Sequence, residues 1–238
     1  MSDKILVPRK EFLKGEEFYE TRMCDALESM RLEGYQQIFM PQLVDTKIEA
    51  PKDARIWQKE YVSPSVAVTG RTKRGNPVVI YAHVPNHLSN PVNLMEAINR
   101  EKPDPSCATI PMDEFYRLLE LEDDKDVFVV DFKKLKKSFV SVLSLDEFID
   151  NPQTIPFLGG EARAEAYMKK HKEFFGDEIR ISHVTDYEFI EDQPSGRLLY
   201  LGLSSPGITL CGNYAINFPG RFIGVKKQLS EGIEQRIK

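Results

Sequence analysis

The sequence is poor in the residues that staple, ligate or anchor a protein. Its 238 residues include 3 cysteines, 4 histidines and 1 tryptophan. Cys24, Cys107 and Cys211 form no C-x-x-C pair, which excludes a dithiol redox centre and leaves no basis for a zinc site or a disulfide framework. They read as reduced thiols packed in a core. Long apolar runs are also missing. The longest, such as Val78 to Ala82, are strand-sized, whereas a bilayer span needs about 20 residues. Met1 to Pro8 lacks the apolar stretch of a signal peptide. These absences predict a cytoplasmic chain with no membrane contact. An excess of positive charge is missing as well: 32 Lys and Arg stand against 37 Asp and Glu, for a net charge of -5. That argues against nucleic acid as the partner, since a basic face is its usual footprint.

What is present is a core. Hydrophobic residues make up 41% of the chain, with 14 Phe and 9 Tyr, a composition that folds without staples. No repeat or low-complexity linker divides residues 1–238, which read as one domain. The proline-bearing stretch 101–110 is the place where two lobes would meet. The periodicity of Phe12, Tyr19, Met23, Ala26, Leu27 and Met30 predicts a long helix over 11–34, stopped by Gly34. Gln36 to Met40 then reads as a short strand ended by Pro41. Ser65–Thr69 and Pro77–Tyr81 are β-prone and flank a polar turn, which predicts a hairpin. Asn90 and Pro91 open a helix, as does Pro111. Val127–Val130 reads as a buried strand, and Phe139–Leu143 as another. Ser144 and Glu147 form a capping box. Glu161 to Phe175 is a clear helix ended by Gly176. From Ile179 onward the pattern is strands and Pro-Gly turns, which predicts a C-terminal antiparallel β-meander. Helices and strands do not alternate regularly, so the fold class is α+β, mixed helices and sheet.

The stretch Gly34-Tyr35-Gln36-Gln37-Ile38-Phe39-Met40-Pro41-Gln42-Leu43 resembles the first motif of class II aminoacyl-tRNA synthetases. There a long helix runs through a glycine and an aromatic residue into a strand and a proline. The resemblance ends after those residues. No arginine–glutamate motif follows on a later strand and no glycine-rich, arginine-bearing third motif is present, so the activity does not transfer.

Two groups of residues could carry chemistry. His83 and His87 follow one predicted strand, and His183 follows another with Asp186 three residues on. Imidazole is the usual general base near neutral pH and a frequent metal ligand, and a carboxylate can orient it. Pro85 stands between His83 and His87 and prevents the shared helix face that zinc-binding pairs use. The competing account is polar loop residues plus one strand histidine. The second group binds anions. Gly159 and Gly160 open a helix whose backbone N–H groups face outward, with Arg163 in its first turn. Arg71, Lys73 and Arg74 crowd a hairpin tip, and Lys133, Lys134, Lys136 and Lys137 form a basic run. The competing account is a tight turn and solvated charge. Asp186 to Asp192 holds four carboxylates but lacks the glycine and terminal glutamate of a calcium loop. His171 lies on an apolar helix face and reads as a core histidine.

No complete motif for a nucleophile, a phosphate loop or a dinucleotide site occurs, so no cofactor and no metal are expected. Two readings follow. The first is a binding or interaction protein for an anionic small molecule or a protein partner. The second is a metal-assisted or acid–base hydrolase built on His83, His87, His183 and Asp186. The pattern leaves open whether the chain is an enzyme.

Overall fold

The computed structural model describes residues 12–100, 107–122, 125–131, 134–135, 141–182, 193–204, 207–212 and 215–227. The chain opens on strand β1 (Phe12–Glu20), followed by helix α1 (Met23–Leu32), strand β2 (Gln36–Gln37), helix α2 (Met40–Glu49) and helix α3 (Arg55–Gln58). Strands β3 (Tyr61–Arg71) and β4 (Pro77–Ala82) form the expected hairpin. Its turn closes through Gly75 at φ 81°. Then come α4 (Pro91–Asn99), β5 (Ala108–Thr109), α5 (Met112–Glu120), β6 (Val127–Asp131), β7 (Ser141–Ser144), α6 (Leu145–Ile149), α7 (Thr154–Leu158) and α8 (Glu161–Phe175). The last strands are β8 (Glu178–Ser182), β9 (Ser195–Ser204), β10 (Gly207–Cys211) and β11 (Gly220–Lys227).

The strands make two sheets. One is small, in the order β1-β11-β2, and joins the two ends of the described chain. The other runs β6-β4-β3-β9-β10-β8-β7, with β5 on the side of β9. The fold is α+β, as the sequence predicts. The C-terminal strands are shared between the sheets. β9 and β10 make an antiparallel hairpin, β8 lies parallel to β10, and β11 leaves to pair with β1 and β2.

The large sheet is covered on both faces, which explains why β3 and β4 are buried along nearly their whole length rather than at alternate residues. On one face Tyr61, Val79 and Tyr81 pack under α2, α7 and α8, through Leu43, Phe157 and Tyr167. On the other, Val66, Val68 and Ile80 meet α1, α4 and α5 through Leu27, Leu94 and Phe115.

The segment 12–20 corrects the long-helix reading. It is a strand, paired residue for residue with β11 from Glu16 opposite Gly224 to Glu20 opposite Gly220. Gly15 weakens a helix there, and a long-range pairing partner outweighs the local periodicity. Met23, Ala26, Leu27 and Met30 are buried on the shorter α1 as expected, but Tyr19 is 56% exposed. Gly34 does follow the helix end, at φ 74°. The strand Gln36–Met40 shrinks to two residues. Pro41 falls in the first turn of α2, where its missing N–H costs nothing. Local signals elsewhere hold. Asn90 Oδ1 accepts from the N–H groups of Val92 and Asn93, and Ser144 and Glu147 close their capping box.

Candidate functional site

A cleft of about 700 Å3 opens where α2, the α7–α8 turn and the ends of β4 and β6 converge. Each wall has a local cause. The backbone N–H of Met40 donates to Ser65 Oγ at 2.8 Å, which tethers the start of α2 against β3, and that of Phe39 donates to Gln42 Oε1 at 2.6 Å, which caps the helix. α7 ends at Gly159, φ 81°, and α8 begins after Gly160, φ 119°. Both are left-handed or otherwise glycine-favouring conformations. A Cβ on Gly159 would stand 2.5 Å from Pro41 Cγ, so the close approach of the turn to α2 also requires glycine. Gly160 has no side chain to cap the first turn of α8.

Four predicted site residues meet here: Gly159, Gly160, Arg163 and His83. Arg163 is engaged within the protein. Its Nε donates to Asp45 Oδ1 at 2.9 Å and its Nη1 to Gly159 O at 2.6 Å. His83 sits at the cleft floor, 4% exposed, with its ring edge toward Phe128. Its Nε2 is 2.8 Å from Pro156 O. A carbonyl can only accept, so Nε2 carries the proton and Nδ1 bears the free lone pair. Nδ1 is shielded from solvent and has no hydrogen-bond partner among the described residues. Burial lowers the imidazole pKa to about 4; the bond to Pro156 opposes this and the charge of Arg163 adds to it. His83 is therefore neutral at physiological pH, and its Nδ1 is a buried acceptor with no partner among the described residues. The remaining walls are Phe39, Pro41 and Ile48 from the α2 side, and Phe128, with Lys125 and Asp126, from the start of β6.

The other predicted residues lie elsewhere. His87 lines a separate depression of about 590 Å3 with Asn86, Glu114 and Arg117. Its Nδ1 is 3.2 Å from Asn93 Nδ2, and burial lowers its pKa. His83 and His87 thus serve different concavities. His183 and Asp186 lie outside the described residues, as do the rest of the acidic run and Lys133, Lys136 and Lys137. Among the described residues, no group of three His, Cys, Asp or Glu side chains is arranged to hold a metal. Lys73 and Arg74 border a shallow depression of about 380 Å3, where Lys73 Nζ lies 5.2 Å over the Tyr116 ring. Arg71 turns back to Gly75 O at 3.2 Å. His171 is buried as expected. No helix among the described residues is long and apolar enough to cross a membrane.

Sequence reasoning missed Phe39, Pro41, Asp45 and Phe128 as cleft walls. Asp45 and Arg163 are 118 residues apart, and no local pattern connects them. A buried lysine was also missed. Lys47 is fully buried and donates to Ile56 O at 2.6 Å. Its signal was available: it continues the buried stripe Met40, Leu43, Val44 at helical spacing.

No protein-family model matches this chain, and no curated protein matches it. A solved structure is similar, reported as "Accommodation of massive sequence variation in Nanoarchaeota by the C-type lectin fold". It shares 44% sequence identity over 92% of this chain and 100% of its own, with a TM-score of 0.82. With that identity spread over the whole of the relative, this chain belongs to the family of the nanoarchaeal C-type lectin-fold protein.

Proposed function

We propose that the protein is a binding protein whose site is the α2–α8 cleft, where a small polar ligand donates a hydrogen bond to His83 Nδ1. The observation that carries this is the unpartnered acceptor at the floor of a formed concavity. A buried polar atom without a partner costs about 1–3 kcal/mol, and a site in a fold is where such a cost is repaid by a ligand. The family supports the same reading. Its nanoarchaeal member is described as accommodating massive sequence variation on one fold, which suits a scaffold that keeps its core and changes what it recognises.

The anionic half of the sequence expectation draws less support from this geometry. Arg163 is committed to Asp45, and Glu161 occupies the first turn of α8, where it competes with an anion. The hydrolase reading has no specific observation in its favour: the acceptor of the His83 proton is a backbone carbonyl, and among the described residues no carboxylate orients the ring.

The test is an NMR fragment screen of the full chain, comparing fragments with and without O–H or N–H donors. Binding is expected to move the amide signals of Gly159, Gly160 and Ala162 and the imidazole nitrogen signals of His83. Hits that cluster elsewhere, or donor-free fragments that bind the cleft equally well, would overturn the proposal.

A further inference from the structure

We infer that the cleft selects a neutral, hydroxyl-bearing ligand with an apolar body, rather than an anion or an amine. The inference rests on the cleft being the binding site and names its ligand class. Three independent features of the lining set the three parts of that description.

The first is the tautomer of His83. Because Nε2–H is held by Pro156 O at 2.8 Å, the ring nitrogen left over, the shielded Nδ1, is an acceptor, and a carboxylate or phosphate oxygen that reached it would meet a lone pair. The ligand must bring a donor. The second is charge. Arg163 and Asp45 cancel at 2.9 Å, and Lys125 and Asp126 are chain neighbours of opposite sign. Glu161 faces the positive end of α8, a helix of 15 residues whose first turn has no side-chain cap. The three carboxylates and two cations of the lining sum to -1, but Asp45 is paired with Arg163, Asp126 is engaged within the protein and Glu161 sits at the positive end of α8, so neither a cation nor an anion finds an uncommitted partner away from solvent to repay its loss of water. The third is shape and polarity. Phe39, Pro41, Ile48 and Phe128 give the cleft aromatic and aliphatic walls, which favour an apolar body over an extended polar chain.

The experiment uses four probes of one shape: benzyl alcohol, benzylamine, benzoate and benzyl methyl ether, titrated into the full chain by NMR. Benzyl alcohol is expected to bind at least about fivefold more tightly than each of the others, the ratio that one hydrogen bond to a buried acceptor supplies. Tightest binding by benzylamine would overturn the inference while leaving the donor to His83 intact. Tightest binding by benzoate would overturn both. Equal binding of the alcohol and its methyl ether, or no binding by any probe, would remove the binding reading itself. Two variants sharpen the result. His83→Phe keeps a flat ring but removes the Nδ1 acceptor, leaving Pro156 O without this donor, and should bring the alcohol-to-ether ratio close to one. Asp45→Asn uncovers the Arg163 charge and should shift the preference toward benzoate; an unchanged order would count against the charge argument. The wild-type comparison stands even where a variant fails to fold.

Discussion

Lys47 is the residue whose replacement should most change how stability depends on pH. Its ammonium is fully buried, 5.0 Å from the Trp57 ring and 5.9 Å from the Tyr61 ring, with one hydrogen bond to Ile56 O. Burial lowers its pKa from 10.5 to about 7. A base with a depressed folded pKa binds fewer protons when folded than when unfolded between those two values. Stability therefore rises with pH from about 7 to about 10.5, and the full penalty is present below about 7. At about 1.4 kcal/mol per pH unit, the window spans on the order of 4–5 kcal/mol. Lys47→Met removes the charge and keeps the apolar stem, but deprives Ile56 O of this donor at a cost of about 1–3 kcal/mol. The variant should be more stable than wild type at pH 7 by about 1–3 kcal/mol, and equal or less stable at pH 10. Urea unfolding from pH 6 to 10, read by the fluorescence of Trp57, the single tryptophan, measures this directly. Other titrating groups are common to both chains and cancel in the difference. Two curves that run parallel across the window would refute the reasoning.

Three further outcomes are expected. His83 and His171 have pKa values lowered by burial to about 4, so the unfolded chain takes up protons below pH 6.5 that the folded chain refuses. Stability should then fall as pH drops from about 6.5 to about 4, and His83→Gln should flatten that fall in an acid titration followed by circular dichroism. Burial tends to raise the Glu17 pKa, but hydrogen bonds from Arg55 and Tyr61 and the charge of Arg221 hold it below the ordinary value. Glu17→Gln should cost about 2–3 kcal/mol in urea unfolding, less than a fully buried pair because Arg55 remains half-exposed. Gly159→Ala meets both a left-handed φ and Pro41, whereas Gly34→Ala meets φ 74° with open space. Thermal unfolding should show the first to be worse by more than about 1 kcal/mol.

Much of the fold was legible where the signal is local. The hairpin of β3 and β4, the Asn90–Pro91 helix start, the Ser144 capping box and the helix 161–175 all follow from neighbouring residues and appear where expected. The failures have one physical origin, namely partners far away in the chain. Residues 12–20 carry spacing compatible with a helix, but β11, some 200 residues later, offers a backbone ladder and the Arg221 partner for Glu17. The C-terminal strands read as one meander because their turns are local. Which sheet each joins is decided by β1, β3 and β8, and no property of the segment itself reports that.

The site shows the same division with a different consequence. His83 and the Gly159–Gly160–Arg163 turn were each visible as unusual residues, but assigned to separate chemistries. What unites them is Pro156, a residue with no functional signature, whose carbonyl fixes the His83 tautomer and whose helix leads into the glycine turn. Because β4 is covered on both faces, the ring at its end is dry and stays neutral, so it cannot act as the cationic partner that an anion would need. Because the carbonyl takes the ring proton, it offers only a lone pair. The backbone, rather than any titratable neighbour, therefore sets what this histidine can recognise: the question posed to a ligand is whether it can donate.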